Sequence, residues 1–201
     1  MHRDGRDHWQ WSLPIGIALL AVILQWSVGA EWLRLDREHF LTEPWRLLGA
    51  HFVHLGWVHL GLNLAGLALL WALLGDTLRS VWWALGVVVL ALGVSAGLLW
   101  CSPGVGWYVG FSGVLHGLFA AGAVANLQRM TTLALAVLGI LFVKLAAEWM
   151  GEGDPLAAAW INGAVIVDAH LYGVIVGLVY GAILLALAMR SSTGRGSPPS
   201  P

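Results

Sequence analysis

Hydrophobic residues in this chain run in long unbroken stretches rather than at the spacing of a one-sided helix or strand. Such stretches predict helices surrounded by apolar material on every side. Read over a window of about 19 residues, they fall at 13–30, 57–74, 81–100, 113–127, 131–150 and 164–189. A helix needs ~20 residues to cross the hydrocarbon of a bilayer, and all but the fourth stretch approach that length. The pattern predicts an all-α polytopic membrane protein with six transmembrane helices in one domain, residues 1–190. Residues 191–201, rich in Ser, Gly and Pro, read as a disordered cytoplasmic tail. Residues 31–55 read as the only long loop.

Composition agrees: 59% of the residues are hydrophobic and 10% are charged, where a soluble domain carries about a quarter charged. A net charge of −1 argues against nucleic acid as a partner, and the lone Cys101 excludes an internal disulfide. Arg3 and Arg6 precede the first stretch in the manner of a signal peptide, but that stretch is long and the chain after it stays membranous. We therefore expect a retained helix. Arg3, Arg6, Arg79, Arg129, Arg190 and Arg195 fall on one side of an even-numbered bundle. Arg34, Arg37 and Arg46 fall on the other, outweighed by Glu31, Asp36, Glu38, Glu43, Glu152 and Asp154. The bias puts both termini in the cytoplasm and the 31–55 loop outside. Tryptophans 9, 11, 57, 100, 107, 149 and 160 lie near helix ends, as an interfacial belt requires.

The chemistry lies in the few polar residues inside these stretches. Counting back from Arg129 and Arg190 at ~1.5 Å per residue puts Ser112 about 25 Å and His170 about 30 Å above the cytoplasmic boundary. From Arg79 the same count gives about 24 Å for Asn63 and about 30 Å for His59. Four polar side chains thus share one layer in the outer half of the core. The fourth stretch reaches only about 22 Å, so its start must sit below the outer surface. The loop leading to it, residues 101–111, carries Pro103, Gly104, Gly106 and Gly110. Non-helical backbone at that depth needs a protein lining or a wet cavity, so Ser112 should face a pocket.

Ser112 at a helix start would have free amides and the positive dipole end beside it, which favours a developing oxyanion. Gly110 and Gly113 permit close approach on either side, His170 supplies an imidazole to take the hydroxyl proton, and His59 and Asn63 share one helix face as donors. Taken singly, a Gly-x-Ser-Gly in a membrane helix reads as packing and a lone His as a structural hydrogen-bonder. Their coincidence in one layer points to catalysis.

In order along the chain stand Glu43-x-x-Arg46, His54, His59 and Asn63, Gly110-x-Ser112-Gly113, and Ala169-His170-x-x-Gly173-x-x-x-Gly177. Over about residues 40 to 180 this resembles the rhomboid family of intramembrane serine proteases. The resemblance implies Ser112 as nucleophile and His170 as base, a dyad with no third acid. It implies an oxyanion hole of the Ser112 amide, His59 and Asn63, close packing at Gly173 and Gly177, and an outer-loop brace of Glu43 and Arg46. The run Gly113-Val114-Leu115-His116-Gly117 and the compact length look most like the bacterial rhombosortase branch. That likeness implies inner-membrane substrates with a C-terminal Gly-Gly, transmembrane and basic sorting tag, an active site open to the periplasm, and no cofactor or metal.

His116, four residues after Ser112, either orients His170 or is a buried histidine held by a carbonyl. Asp168 is set aside as a third acid because residues two apart on a helix point in different directions. Lys144, the only lysine, and Glu148 read first as an internal ion pair and second as a pair serving the active-site layer. His39 and His51 read as loop residues, and no His-Glu-x-x-His occurs. Three functions of different class remain: a serine endopeptidase, an inactive rhomboid relative that binds transmembrane segments, and a metal or proton handler built on His54, His59, His116 and His170.

Overall fold

The structure is a computed structural model that describes residues 11–27, 29–151 and 155–193. Arg3, Arg6, Trp9, Glu152, Asp154, Arg195 and most of the expected tail therefore lie outside the described residues. Helix α1 (Ser12–Ser27) leads into the region expected on the outer side, with short helices α2 (Ala30–Leu33) and α3 (Arg46–Gly49), a two-residue strand β1 (Leu35–Asp36) and a 3-10 turn at Ala50–Phe52. Helices α4 (Trp57–Leu74) and α5 (Ser80–Cys101) follow, then strand β2 (Trp107–Tyr108), α6 (Ser112–Ala125), α7 (Thr131–Met150), the short α8 (Pro155–Ile161) and α9 (Val167–Thr193).

Four of these helices, α4, α5, α7 and α9, are long and apolar enough to cross a membrane. This is a membrane protein. The other two apolar helices, α1 and α6, have 16 and 14 residues and fall short of that length. For α6 the deficit is built in, since 14 residues rise about 21 Å.

That short helix is the centre of the bundle, touching α4, α5, α7 and α9. Val114 and Leu118 of α6 lock into Leu70, Leu74, Trp83 and Leu90 of α4 and α5, all almost fully buried. Against α9 it packs differently, because in lipid helices gain little from apolar contact and adhere by close backbone approach. A Cβ on Gly173 would collide with the Gly113 carbonyl oxygen, and one on Gly177 with that of Gly117. From the other side, a Cβ on Gly113 would stand 2.8 Å from the Ala169 carbonyl oxygen. Glycine at these positions brings the two backbones together.

The outer region is folded, contrary to its reading as a plain loop. Two arginines organise it by collecting carbonyl oxygens. Arg46 donates to the carbonyls of Glu31 (2.7 Å) and Arg34 (3.0 Å) and pairs with Glu43. Arg37 donates to the carbonyls of Leu98 (2.6 Å) and Ser102 (2.8 Å), closing the open end of α5. Strand β1 then pairs antiparallel with β2, Leu35 opposite Tyr108, which ties this region to the segment leading into α6. Charge counting assigns these arginines to the outer side but does not reveal what they hold.

The sixth stretch also differs from its expected bounds. Helix α9 starts at Val167, three residues after the apolar run does, and the short α8 intervenes after α7. Asn162 adopts a positive φ of 54°, and the following residues line the central cavity instead of continuing a helix.

Gly173→Ala should therefore cost about 1–3 kcal/mol or more, because neither backbone can yield easily. Gly139→Ala should cost nothing, since its Cβ meets no atom within 4 Å. Thermal unfolding of both variants in detergent checks the pair, and equal melting temperatures would contradict the packing described.

Candidate active site

Ser112 is the first residue of α6, and its position follows from the chain just before it. Gly110 takes φ +124°, a conformation that side chains rarely allow, and turns the chain from β2 into the helix. Its N–H donates to the Ala50 carbonyl (2.9 Å), and its carbonyl accepts the Tyr108 hydroxyl (2.8 Å). Burial pushes that hydroxyl's pKa up to about 12, so it stays a neutral donor. Helix α6 thus begins inside the protein, with Ser112 in a first turn whose amides have no carbonyl partner within the helix.

The Ser112 Oγ and His170 Nε2 lie 2.9 Å apart, joining α6 to α9. On the far side of the ring, His170 Nδ1 lies 2.9 Å from Glu148 Oε2 of α7. The other oxygen of Glu148 accepts from Lys144 Nζ at 2.6 Å. The Ser112–His170 pair is thus accompanied by a third, acidic group where a dyad without one was expected, and Lys144 and Glu148 form their ion pair facing the active-site layer, the second of its two readings. The cause is helix packing, which turns the Glu148 face of α7 toward α9 so that the residue is 4% exposed.

His116 answers both of its readings. Its Nδ1–H donates to the Ser112 carbonyl at 2.7 Å, and its ring stacks on His170 with centroids 4.1 Å apart and planes 13° from parallel. Asp168 instead accepts from the Ser102 hydroxyl, which also bonds the Tyr172 hydroxyl at 2.8 Å. It is not aimed at His170.

His59 and Asn63 of α4 face the same cavity as Ser112, His116, Glu148 and His170. The Leu55 N–H points at His59 Nδ1 (3.4 Å), which puts the ring proton on Nε2. That nitrogen lies against Gly110, where a Cβ would stand 3.0 Å from it. Asn63 donates one amide proton to the His59 carbonyl at 2.9 Å, and its second is left to aim elsewhere. The cavity holds about 820 Å³ and is otherwise mostly apolar, running between α4 and α7 with the segment before α9 over it.

The remaining candidates lie behind this layer. Glu43 and Arg46 brace the outer region, and Gly173 and Gly177 seat α9 on α6. His51, expected as a loop residue, is fully buried and donates to Ser95 Oγ (3.1 Å), whose hydroxyl is bonded to the Leu47 carbonyl. His39 stays near the surface beside Asp36. His54 stands edge-on to His59, centroids 5.0 Å apart, and neither of its ring nitrogens meets a partner among the described residues. The roles of Tyr108, Arg37 and His51 escaped the sequence reading. A Tyr two residues before an essential Gly is the only signal that could have found the first, and the arginine's role depends on carbonyls more than 60 residues away.

A family model described as Rhomboid domain matches residues 41–187. Among curated proteins none matches the chain.

Burial holds the pKa of His51 down at about 4 and that of His54 at about 3, against 6.5 for a free imidazole. Below pH 6.5 the unfolded chain takes up protons at these sites that the folded chain refuses, so their contribution lowers stability as pH falls toward 3. His54→Leu, which removes an unsatisfied buried ring, should be about neutral at pH 7 and should flatten that slope. Unfolding midpoints from pH 7 to 4 test this, and an unchanged slope would count against a neutral buried His54.

Proposed function

The chain belongs to the rhomboid family, and from that premise we propose that it is an intramembrane serine endopeptidase with Ser112 as nucleophile and His170 as base. The observation that carries the reading is the 2.9 Å contact between Ser112 Oγ and His170 Nε2 at an apolar cavity inside a membrane bundle.

The chemistry follows from those atoms. Ser112 Oγ bonds to the scissile carbonyl carbon as its proton passes to His170 Nε2, and the carbonyl oxygen becomes an oxyanion. The Ser112 amide at the helix start, the His59 Nε2–H and the second Asn63 amide proton are the donors for that charge. The C–N bond then breaks, the leaving amine takes the proton from His170, and an acyl ester remains on Ser112. Water gives its proton to His170, attacks the ester and releases the acid, restoring the serine. An apolar site strengthens each of these electrostatic contacts, because little water competes for the donors.

The cavity between α4 and α7 supports a transmembrane segment as substrate, since α7 is the least buried of the four long helices and the lining is largely apolar. Within the family, the run Gly113-Val114-Leu115-His116-Gly117 supports the rhombosortase branch, whose substrates carry a C-terminal Gly-Gly, an apolar helix and a basic end. We further propose six crossings in the bacterial inner membrane, with α1 and α6 completing the four longer helices, both termini cytoplasmic and the cavity open to the periplasmic side.

Two results are expected from purified protein in proteoliposomes with a tagged membrane-anchored substrate. Wild type should cleave it and react with a fluorophosphonate, and Ser112→Ala and His170→Ala should each abolish cleavage while remaining folded. Turnover by Ser112→Ala would remove the protease reading. Asn63→Ala should lower kcat by about 10²–10³ with little change in KM, the loss typical of a strong oxyanion donor. Unchanged kinetics would remove Asn63 from the oxyanion hole.

A further inference from the structure

We propose that Glu148, anchored by Lys144, is a positioning residue that fixes the tautomer of His170 and so decides which ring nitrogen meets Ser112. This deepens the serine-protease reading and rests on it.

A neutral imidazole has one N–H donor and one lone-pair acceptor, and nothing within the ring decides which nitrogen takes which role. An ionised carboxylate only accepts. With Glu148 Oε2 at 2.9 Å from Nδ1, the proton belongs on Nδ1. Nε2 is then left with its lone pair toward the Ser112 hydroxyl, 2.9 Å away. The other tautomer would set a lone pair against the carboxylate and an N–H against the serine proton.

A carboxylate at this depth is costly unless it is paired. Lys144, one turn earlier on α7, meets that need through Oε1 at 2.6 Å. The two oxygens are thus divided, one to the ammonium and one to the imidazole. When His170 takes the serine proton, the imidazolium forms beside a negative charge already in place, so no charge has to move in from water. His116, stacked on the ring and bonded to the Ser112 carbonyl, opposes tilting of the imidazole out of this line.

The division of oxygens makes a prediction that a plain ion pair does not. In Glu148→Gln the Lys144 ammonium, which can only donate, claims the amide oxygen. That turns the amide NH₂ toward His170 Nδ1. The NH₂ donates, the imidazole proton moves to Nε2, and the base faces Ser112 in the wrong tautomer. Where a comparable carboxylate is replaced by its amide in a serine protease, kcat falls about 10⁴-fold for this reason. Lys144→Met combined with Glu148→Gln frees the amide to turn over, so that its oxygen accepts from Nδ1 again. The double variant should therefore be faster than the glutamine variant alone.

The test is kcat and KM for wild type, Glu148→Gln and the double variant in proteoliposomes, with thermal unfolding beside them. Expected are a fall in kcat of about 10³–10⁴-fold for Glu148→Gln at nearly constant KM, and a recovery of ten-fold or more in the double variant. A purely structural pair would instead lower the melting temperature in the single and leave kcat of its folded fraction near wild type. That outcome, or a double variant no faster than the single, overturns the proposal. Nitrogen-15 spectra of imidazole-labelled wild type, assigned with His170→Gln, decide the matter even if the variants fail to fold. A proton on Nδ1 supports the proposal, and one on Nε2 overturns it. Loss of the protease reading is separate, since it would show as a wild type that neither cleaves nor reacts with fluorophosphonate whatever the tautomer.

Discussion

The structure depends on the contact between the backbones of α6 and α9. Gly113 and Gly117 on one helix meet Gly173 and Gly177 on the other so closely that a methyl group would fill space occupied by carbonyl oxygens. Helices in lipid have no water to escape, so adhesion must come from close packing and from polar groups that find partners. Here both arise on one seam. The glycines draw the helices together at Gly113 and Gly173, and Ser112 and His170 stand beside these at the outer end. The 2.9 Å contact between Ser112 and His170 is a result of that approach. A wider seam would separate the two groups without changing either residue.

A helix that starts inside a membrane protein leaves polar backbone where water is scarce, and the outer region is the answer to that problem. Arg37 and Arg46 gather carbonyl oxygens from α2, α5 and the residues that end them, and the short β1–β2 pair fastens the segment before Ser112. The Ala50 carbonyl takes the Gly110 N–H, and the Tyr108 hydroxyl takes the Gly110 carbonyl. The arrangement buries the Arg46 guanidinium, leaves that of Arg37 half-buried, and spends the donors of both on carbonyls, which is how such groups become tolerable away from water. In consequence the α6 amides sit at a depth where their dipole is weakly screened.

Much of this was legible in the chain itself. Four of the six apolar runs identified helices long enough to cross a membrane, since about twenty unbroken apolar residues have few other uses. Arginine positions and helical rise put Ser112, His170, His59 and Asn63 in one layer, and the ordered motifs pointed to the rhomboid family to which residues 41–187 belong. Close packing at Gly173 and Gly177 was implied by that resemblance. Each of these is a one-dimensional property, carried by composition, spacing or rise per residue.

Rotation and lateral placement were not legible, because depth along an axis says nothing about which way a helix face turns. Lys144 and Glu148 could be placed in the right layer from the sequence, yet only the packing of α7 against α6 and α9 turns Glu148 onto His170. The ring stacking of His116, the diversion of Asp168 to Ser102, and the burial of His51 against Ser95 have the same origin. Carbonyl oxygens carry no residue identity, so the arginine partners in the outer region were hidden as well. The sequence by itself determined a membrane bundle and its polar layer. The tertiary structure decided which polar groups in that layer touch, since hydrogen bonds act over about 3 Å and a helix turned by one residue moves a side chain farther than that.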